Sequence, residues 1–235
     1  MKYIMSNFSL FEDKTGIIFN DKKLLEQAFI HRSYINENGG TKLSHNARLE
    51  FLGDAVLELV VTDYLYKKYP NNNEGELTAY RSALVNAVII GEVAQELEMN
   101  TCLLLSKGES KDVGKARNYI LANTYEAYVG AVYLDQGYEK ARDFIIKSLI
   151  SKLDVIVAKK LWRDPKSLVQ EKSQEYLNIT PSYKVINETG PDHDKNFVVG
   201  IFFGEEQISL GKGHSKQEAE QAAAQTALEI KEWLD

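Results

Sequence analysis

Two carboxylates stand four residues apart in the run His45-Asn46-Ala47-Arg48-Leu49-Glu50-Phe51-Leu52-Gly53-Asp54-Ala55-Val56-Leu57, which is otherwise largely apolar. In a helix, Glu50 and Asp54 would share one face, one turn apart. Acids on a rigid, half-buried helix suit a hard cation with oxygen ligands, usually Mg2+. The same pair also serves simply to solvate an exposed helix face, and the pattern alone leaves both readings open. Opposite the acids, Leu49, Leu52, Val56, Leu59 and Val60 recur at helical spacing and predict a core-facing stripe.

The elements that must position these acids are helical over residues 1–158. Turn signals interrupt them at Gly39-Gly40, residues 70–73, residues 108–114 and Gly137. The long apolar runs 85–97 and 121–134 show few strand-like alternations and predict helices. Residues 159–164 form a charged stretch ended by Pro165 and predict a linker. The pattern then changes. Residues 166–177 predict a helix with Leu168, Val169 and Tyr176 toward a core. Alternation at Tyr183 and Val185, the β-branched and aromatic run 197–203, and residues 208–210 predict three strands, with a turn at Gly204-Glu205-Glu206. Ser215-Lys216-Gln217-Glu218 has the form of a capping box, and Ala219, Ala222, Ala223, Thr226, Ala227 and Ile230 would give the following helix a small-residue face. The fold expected is an all-α domain over 1–158, a linker over 159–164, and an α+β domain of order α-β-β-β-α over 165–235.

Composition narrows the function. The 235 residues are 44% hydrophobic, ordinary for two domains with cores. No run approaches the roughly 18 apolar residues of a membrane helix, and the amino terminus lacks a secretory layout, so no membrane partner is expected. Cys102 is the single cysteine and cannot form an internal disulfide, which favours a reducing, cytoplasmic setting. Net charge is −6, and the stretch after residue 164 carries 7 basic and 12 acidic residues, so nucleic-acid binding would need local constellations in place of a general positive field. Paired Cys and His spacings for zinc are absent, as are a Ser-His-acid order and a glycine-rich phosphate loop. His31, in an apolar stretch, reads as a hydrogen-bonded core residue, and His45 as part of a helix cap.

The run around Glu50 resembles the signature of the ribonuclease III family, Asn-Glu-Arg-Leu-Glu-Phe-Leu-Gly-Asp-(Ala/Ser)-(Val/Ile)-Leu, departing only at Ala47, where the family has Glu. Further matches follow in the family's order: Ala28-Phe29-Ile30-His31-Arg32-Ser33-Tyr34, Asn73-Glu74-Gly75-Glu76-Leu77-Thr78, Arg81-Ser82-Ala83-Leu84-Val85-Asn86, Leu105-Ser106-Lys107-Gly108-Glu109 and Ile120-Leu121-Ala122-Asn123-Thr124-Tyr125-Glu126-Ala127. The later region, with Gly190-Pro191-Asp192-His193-Asp194-Lys195 and residues 211–220, resembles a double-stranded-RNA-binding domain. The resemblance implies a divalent-metal-dependent endoribonuclease that cuts double-stranded RNA to 5′-phosphate and 3′-hydroxyl ends and processes ribosomal precursor and other structured RNAs. It implies metal ligation by Glu50, Asp54, Asn123 and Glu126, with Asp54 and Glu126 catalytic, Mg2+ as the ion and Mn2+ as a substitute. Glu74 matches a further acid near the site, and a solvated loop residue is the alternative for it.

Residue 123 departs from the family, which has Asp there. An amide offers one oxygen but no charge, and a charge about 4 Å from a cation is worth on the order of 4 kcal/mol at an effective dielectric near 20. Three readings stay open: an enzyme that still cleaves, an enzyme deliberately silenced, and a catalytically silent duplex-RNA-binding protein. For RNA, the resemblance implies that Ser167, Gln170, Glu171 and Gln174 contact one minor groove and His193 the next, while Ser215, Lys216 and Gln217 hold phosphates at a helix start. Gln217 stands where the family has a second Lys. It also implies a two-fold homodimer with Phe51 inserted into the partner subunit, an intrachain core position being the alternative for Phe51.

Overall fold

The structure, a computed structural model, describes residues 2–38, 43–158, 160, 162–191 and 195–233, with side chains from residue 8 onward. The chain divides into two units, Met1–Trp162 and Arg163–Asp235. The turn expected at Gly39-Gly40 lies outside the described residues.

The first unit is built of helices α1 (Lys2–Thr15), α2 (Lys22–Ala28), α3 (Arg32–Glu37), α4 (Ala47–Lys68), α5 (Glu74–Leu84), α6 (Ala87–Glu96), α7 (Lys115–Gln136), α8 (Tyr138–Ser148) and α9 (Leu153–Ala158). Polar residues start several of them. Asp21 accepts the Lys23 N–H before α2, and Asn86 accepts those of Val88 and Ile89 before α6. At α5, Asn73 and Glu76 exchange hydrogen bonds in a capping box. These contacts satisfy amides that the first helical turn leaves without partners.

Helices α4 and α7 form the most extensive helix pair and run through the centre of the core. Leu57, Val60, Val61 and Leu65 from α4 meet Leu121, Tyr125 and Tyr128 from α7, all nearly inaccessible to solvent. Around Tyr128 the rings of Phe11, Phe19 and Phe144 lie 5.0 to 5.6 Å away by centroid, an aromatic cluster that ties α1 and α8 to α7. The buried stripe of α4 differs from the expected one. Leu49, Val56 and Val60 are buried, but Leu59 is 57% exposed and Leu52 only half-buried. Helical spacing fixes the period of a stripe but not its centre, and Leu57, Val61 and Leu65 take the inner face instead. Trp162, inside the stretch read as a linker, packs edge-on against Tyr80 of α5 at 4.9 Å. No single helix among the described residues is long and apolar enough to cross a membrane.

The second unit comprises α10 (Pro165–Leu177), strands β1 (Ser182–Thr189), β2 (Asn196–Phe203) and β3 (Glu206–Gly213), and α11 (Lys216–Ile230). The strands form an antiparallel sheet in the order β1-β2-β3. This gives the α-β-β-β-α order expected. Phe197, Val199, Ile201 and Phe203 alternate inward from β2 against Leu168 and Val169 of α10 and the alanines of α11. A Cβ on Gly211 would stand 2.1 Å from the Ala223 nitrogen, so α11 lies directly on the β3 backbone. Two details differ from expectation. Tyr176 is 57% exposed rather than a core residue, and the buried face of α11 is Ala219, Ala223, Ala224, Ala227 and Leu228, leaving Ile230 outside. As in α4, the face was rotated by one residue from that drawn on the sequence.

Candidate metal centre and duplex-binding face

The signature run starts at a pinned point. Asn46 is 4% exposed; its backbone N–H donates to the Ile30 carbonyl at 2.9 Å and its Nδ2 to the Ala28 carbonyl at 3.2 Å. His45 Nδ1 accepts the Ala47 N–H at 3.3 Å, the capping role expected of it. His31 is hydrogen-bonded but differs from the core residue expected. It is the cap of α3, its Nδ1 accepting the Ser33 N–H and meeting Ser33 Oγ at 2.8 Å. The end of α2 and the start of α4 are thereby fixed to each other, with α3 capped just after Ile30, and Glu50 and Asp54 project from a helix anchored at its start.

The second contribution comes from α7. Glycines at the crossing allow backbone contact: a Cβ on Gly53 would fall 1.7 Å from the Glu126 carbonyl oxygen, and one on Gly130 2.2 Å from that of Leu49. Glu126 is therefore carried to the acids of α4, partly buried, while Asn123 lies one turn before it and is exposed. Burial pushes the Glu126 carboxyl up to about 7, and the negative fields of Asp54, Glu50 and Glu58 act in the same direction. Burial also raises Glu50, opposed by the nearby Arg32 guanidinium. Among the described residues no three His, Cys, Asp or Glu side chains converge tightly enough to enclose an ion. The carboxylates thus feel one another's charge without sharing a common point. A divalent cation with oxygen preference fits such a set, because its charge would offset the burial and the like-charge repulsion that together raise the Glu126 carboxyl.

Glu58 joins these acids without belonging to any of the sequence motifs. Its signal was available: it continues the column Glu50, Asp54, Glu58 at four-residue spacing. Glu74 occupies the first turn of α5, where its Oε1 accepts from Thr78 Oγ1 at 3.4 Å. It lines an open cavity of about 440 Å3 with Thr62, Leu65, Tyr66, Leu77 and Arg81. Phe51 is 82% exposed, so it is not an intrachain core residue. Ala55, Leu59, Thr62 and Tyr66 continue its exposed face along α4.

In the second unit, Ser167, Gln170, Glu171 and Gln174 all lie exposed on one face of α10. The Asp164 carboxylate caps that helix through the Ser167 N–H at 2.8 Å. Ser215 caps α11, its Oγ accepting the Glu218 N–H at 3.1 Å, while the Glu218 carboxylate reaches the His214 N–H one residue earlier than a standard box would. Lys216 and Gln217 are exposed at this helix start, with Lys216 Nζ 5.8 Å from the centroid of the Phe197 ring. His193 lies outside the described residues.

Comparison with known proteins follows the same division. A family model described as ribonuclease-III-like matches residues 21–153, and one for the double-stranded RNA binding motif matches residues 165–231. Ribonuclease 3 of Desulforamulus reducens is 44% identical over 92% of this chain and 88% of its own length. Ribonuclease 3 of Borreliella burgdorferi is 44% identical over 97% of this chain and 92% of its own. The nuclease domain of ribonuclease III from Campylobacter jejuni, described for structural flexibility in a region involved in dimer formation, superposes with a TM-score of 0.55. It is 37% identical, and the match covers 60% of this chain and 94% of that one.

Proposed function

This chain belongs to the ribonuclease III family and is by that membership a double-stranded-RNA endoribonuclease, and we propose that it cuts with Mg2+ held by Glu50, Asp54, Asn123 and Glu126. The observation that carries this reading is Glu126, lifted to about 7 by burial beside Asp54 and Glu50 on the crossing helix. A bound divalent ion supplies charge neutralisation at the scissile phosphate and an acidified water. The chain's own residues set the place of that chemistry. Asp54 and Glu126 approach from two helices locked backbone to backbone, and Glu50 stands one turn before Asp54. Asn123 contributes an amide oxygen without charge, which lowers affinity for the ion but keeps a donor. Mn2+ replaces Mg2+ in this reading because it accepts the same oxygen ligands. Glu74 acts as an accessory acid from α5. The products are 5′-phosphate and 3′-hydroxyl ends from ribosomal precursor and other structured RNAs, and the lone buried thiol of Cys102 suits the cytoplasm.

Duplex RNA is bound by the second unit through shape. Ser167, Gln170, Glu171 and Gln174 face one minor groove, His193 the next, and Ser215, Lys216 and Gln217 meet phosphates where the start of α11 favours anions. The helical unit acts as a two-fold homodimer through the exposed face of α4 centred on Phe51, consistent with the dimer-forming nuclease domain of the Campylobacter relative.

The test is cleavage of a long RNA duplex in Mg2+ and in Mn2+ by this chain, Asn123→Asp, Ala47→Glu and the double variant. Cleavage by the unaltered chain at a rate near that of the double variant supports the reading as stated. Cleavage only by the altered chains would show that the missing carboxylates silence it. Binding by all four with cleavage by none would leave a duplex-binding protein in place of the enzyme.

A further inference from the structure

The acidic column of α4 does not stop at Asp54. Glu58 follows four residues on, and its Oε2 lies 3.0 Å from Arg81 Nε on α5. The same guanidinium donates through Nη1 to Thr62 Oγ1 at 3.1 Å, one further turn along α4. Arg81 therefore grips two successive turns of the signature helix from a helix whose start is itself fixed by the Asn73–Glu76 capping box. Both side chains are more than a third exposed, and pairs of that kind add little to folding stability. Their location suggests another use. Glu58 stands one turn beyond Asp54 in the column Glu50, Asp54, Glu58, on the helix whose Gly53 packs against the Glu126 backbone of α7. The polar contacts of Arg81 are to Glu58 and Thr62 and not to the proposed metal ligands, so the pair acts on the centre through charge and position.

We infer that the Glu58–Arg81 pair sets the charge of the metal centre: Glu58 lends negative field in place of carboxylates absent at Ala47 and Asn123, and Arg81 offsets part of that field while fixing where Glu58 stands. The inference rests on the metal-site reading above. Groups just outside a ligand set regularly tune metal affinity in this way. Glu58 and Arg81 are positioning residues with opposite signs, and that opposition is what separates a field effect from a merely structural one.

The experiment is calorimetric titration of the full chain with Mn2+ in the absence of RNA, at low and at high salt, with thermal melting of each variant. Glu58→Gln is expected to weaken Mn2+ binding about two- to fivefold, and Arg81→Gln to tighten it by a similar factor. Arg81→Lys, which keeps the charge, is expected to stay within about twofold of the parent, and both shifts should shrink at high salt. Weakening by both Gln variants, or no change in either, overturns the inference. Asp54→Ala separates the two levels: loss of Mn2+ binding there with unmoved Gln variants rejects only the role of the pair. Unchanged binding by Asp54→Ala rejects the metal centre and the pair together.

Discussion

Gly53 of α4 lies against the backbone of Glu126 of α7, so close that a Cβ on the glycine would fall 1.7 Å from the Glu126 carbonyl oxygen. The residue immediately before Asp54 in sequence thus decides where the opposing carboxylate stands. Gly130 does the same one turn later on α7, against the Leu49 carbonyl. Acid placement and helix packing are one constraint at this crossing.

Gly53→Ala should therefore damage both stability and site. The new methyl has no flexible side chain to displace, only backbone, so the two helices must separate. The expected loss is about 3 kcal/mol or more in urea denaturation, at the upper end of overpacking costs. Divalent-metal affinity should fall with it. A fully stable Gly53→Ala chain would show that the close approach is not required.

Glu126 gives the metal-free protein a pH dependence with a definite sign. Its folded value is raised from 4.5 to about 7, so the folded state holds the proton more tightly than the unfolded chain. Stability is then fully present below about pH 4.5 and falls as pH rises toward 7, flattening above. The full shift corresponds to about 3 kcal/mol, and partial solvent access brings the expected loss to about 1 to 2 kcal/mol. In EDTA, Glu126→Gln should flatten this slope and stabilise the chain at pH 8. Parallel pH profiles for the two proteins would contradict it.

Phe51→Asp should convert a dimer to a monomer without unfolding it, because the ring is already 82% exposed in the single chain. Sedimentation velocity at micromolar concentration reads the change. A parent chain that sediments as a monomer would remove Phe51 as an interface residue.

At the other unit, Lys216→Ala should weaken duplex-RNA binding to a similar degree whatever the sequence of the duplex. It should also lower the salt dependence of the binding constant by about one charge. An unchanged salt slope would mean that Lys216 does not meet phosphate. Its exposure at the start of α11 is what allows the contact.

Much of this molecule was legible in order of residues. Spacing put Glu50 and Asp54 on one helical face, alternation in residues 197–203 marked the inward face of β2, and Ser215 announced the start of α11. These are local signals, each carried by neighbours within a turn or a strand. Rotations of a face were not legible at the same resolution. Leu59 and Ile230 fit the apolar period yet point outward, because a stripe read from one helix does not say which edge its partners will cover. His31 is similar: its hydrogen bonding was foreseeable, but its place as a cap depended on where α3 begins.

The sequence by itself determined the two kinds of architecture, the helix carrying Glu50 and Asp54, and the family to which the chain belongs, since motif order and hydrophobic period survive in one dimension. The tertiary structure alone decided that Glu126 enters the field of Asp54, Glu50 and Glu58, that Arg81 reaches Glu58 from α5, and that Trp162 settles on Tyr80. Those relations join residues 23 to 82 positions apart. Their geometry depends on how closely two helices approach, which a pair of glycines sets and no local pattern reveals.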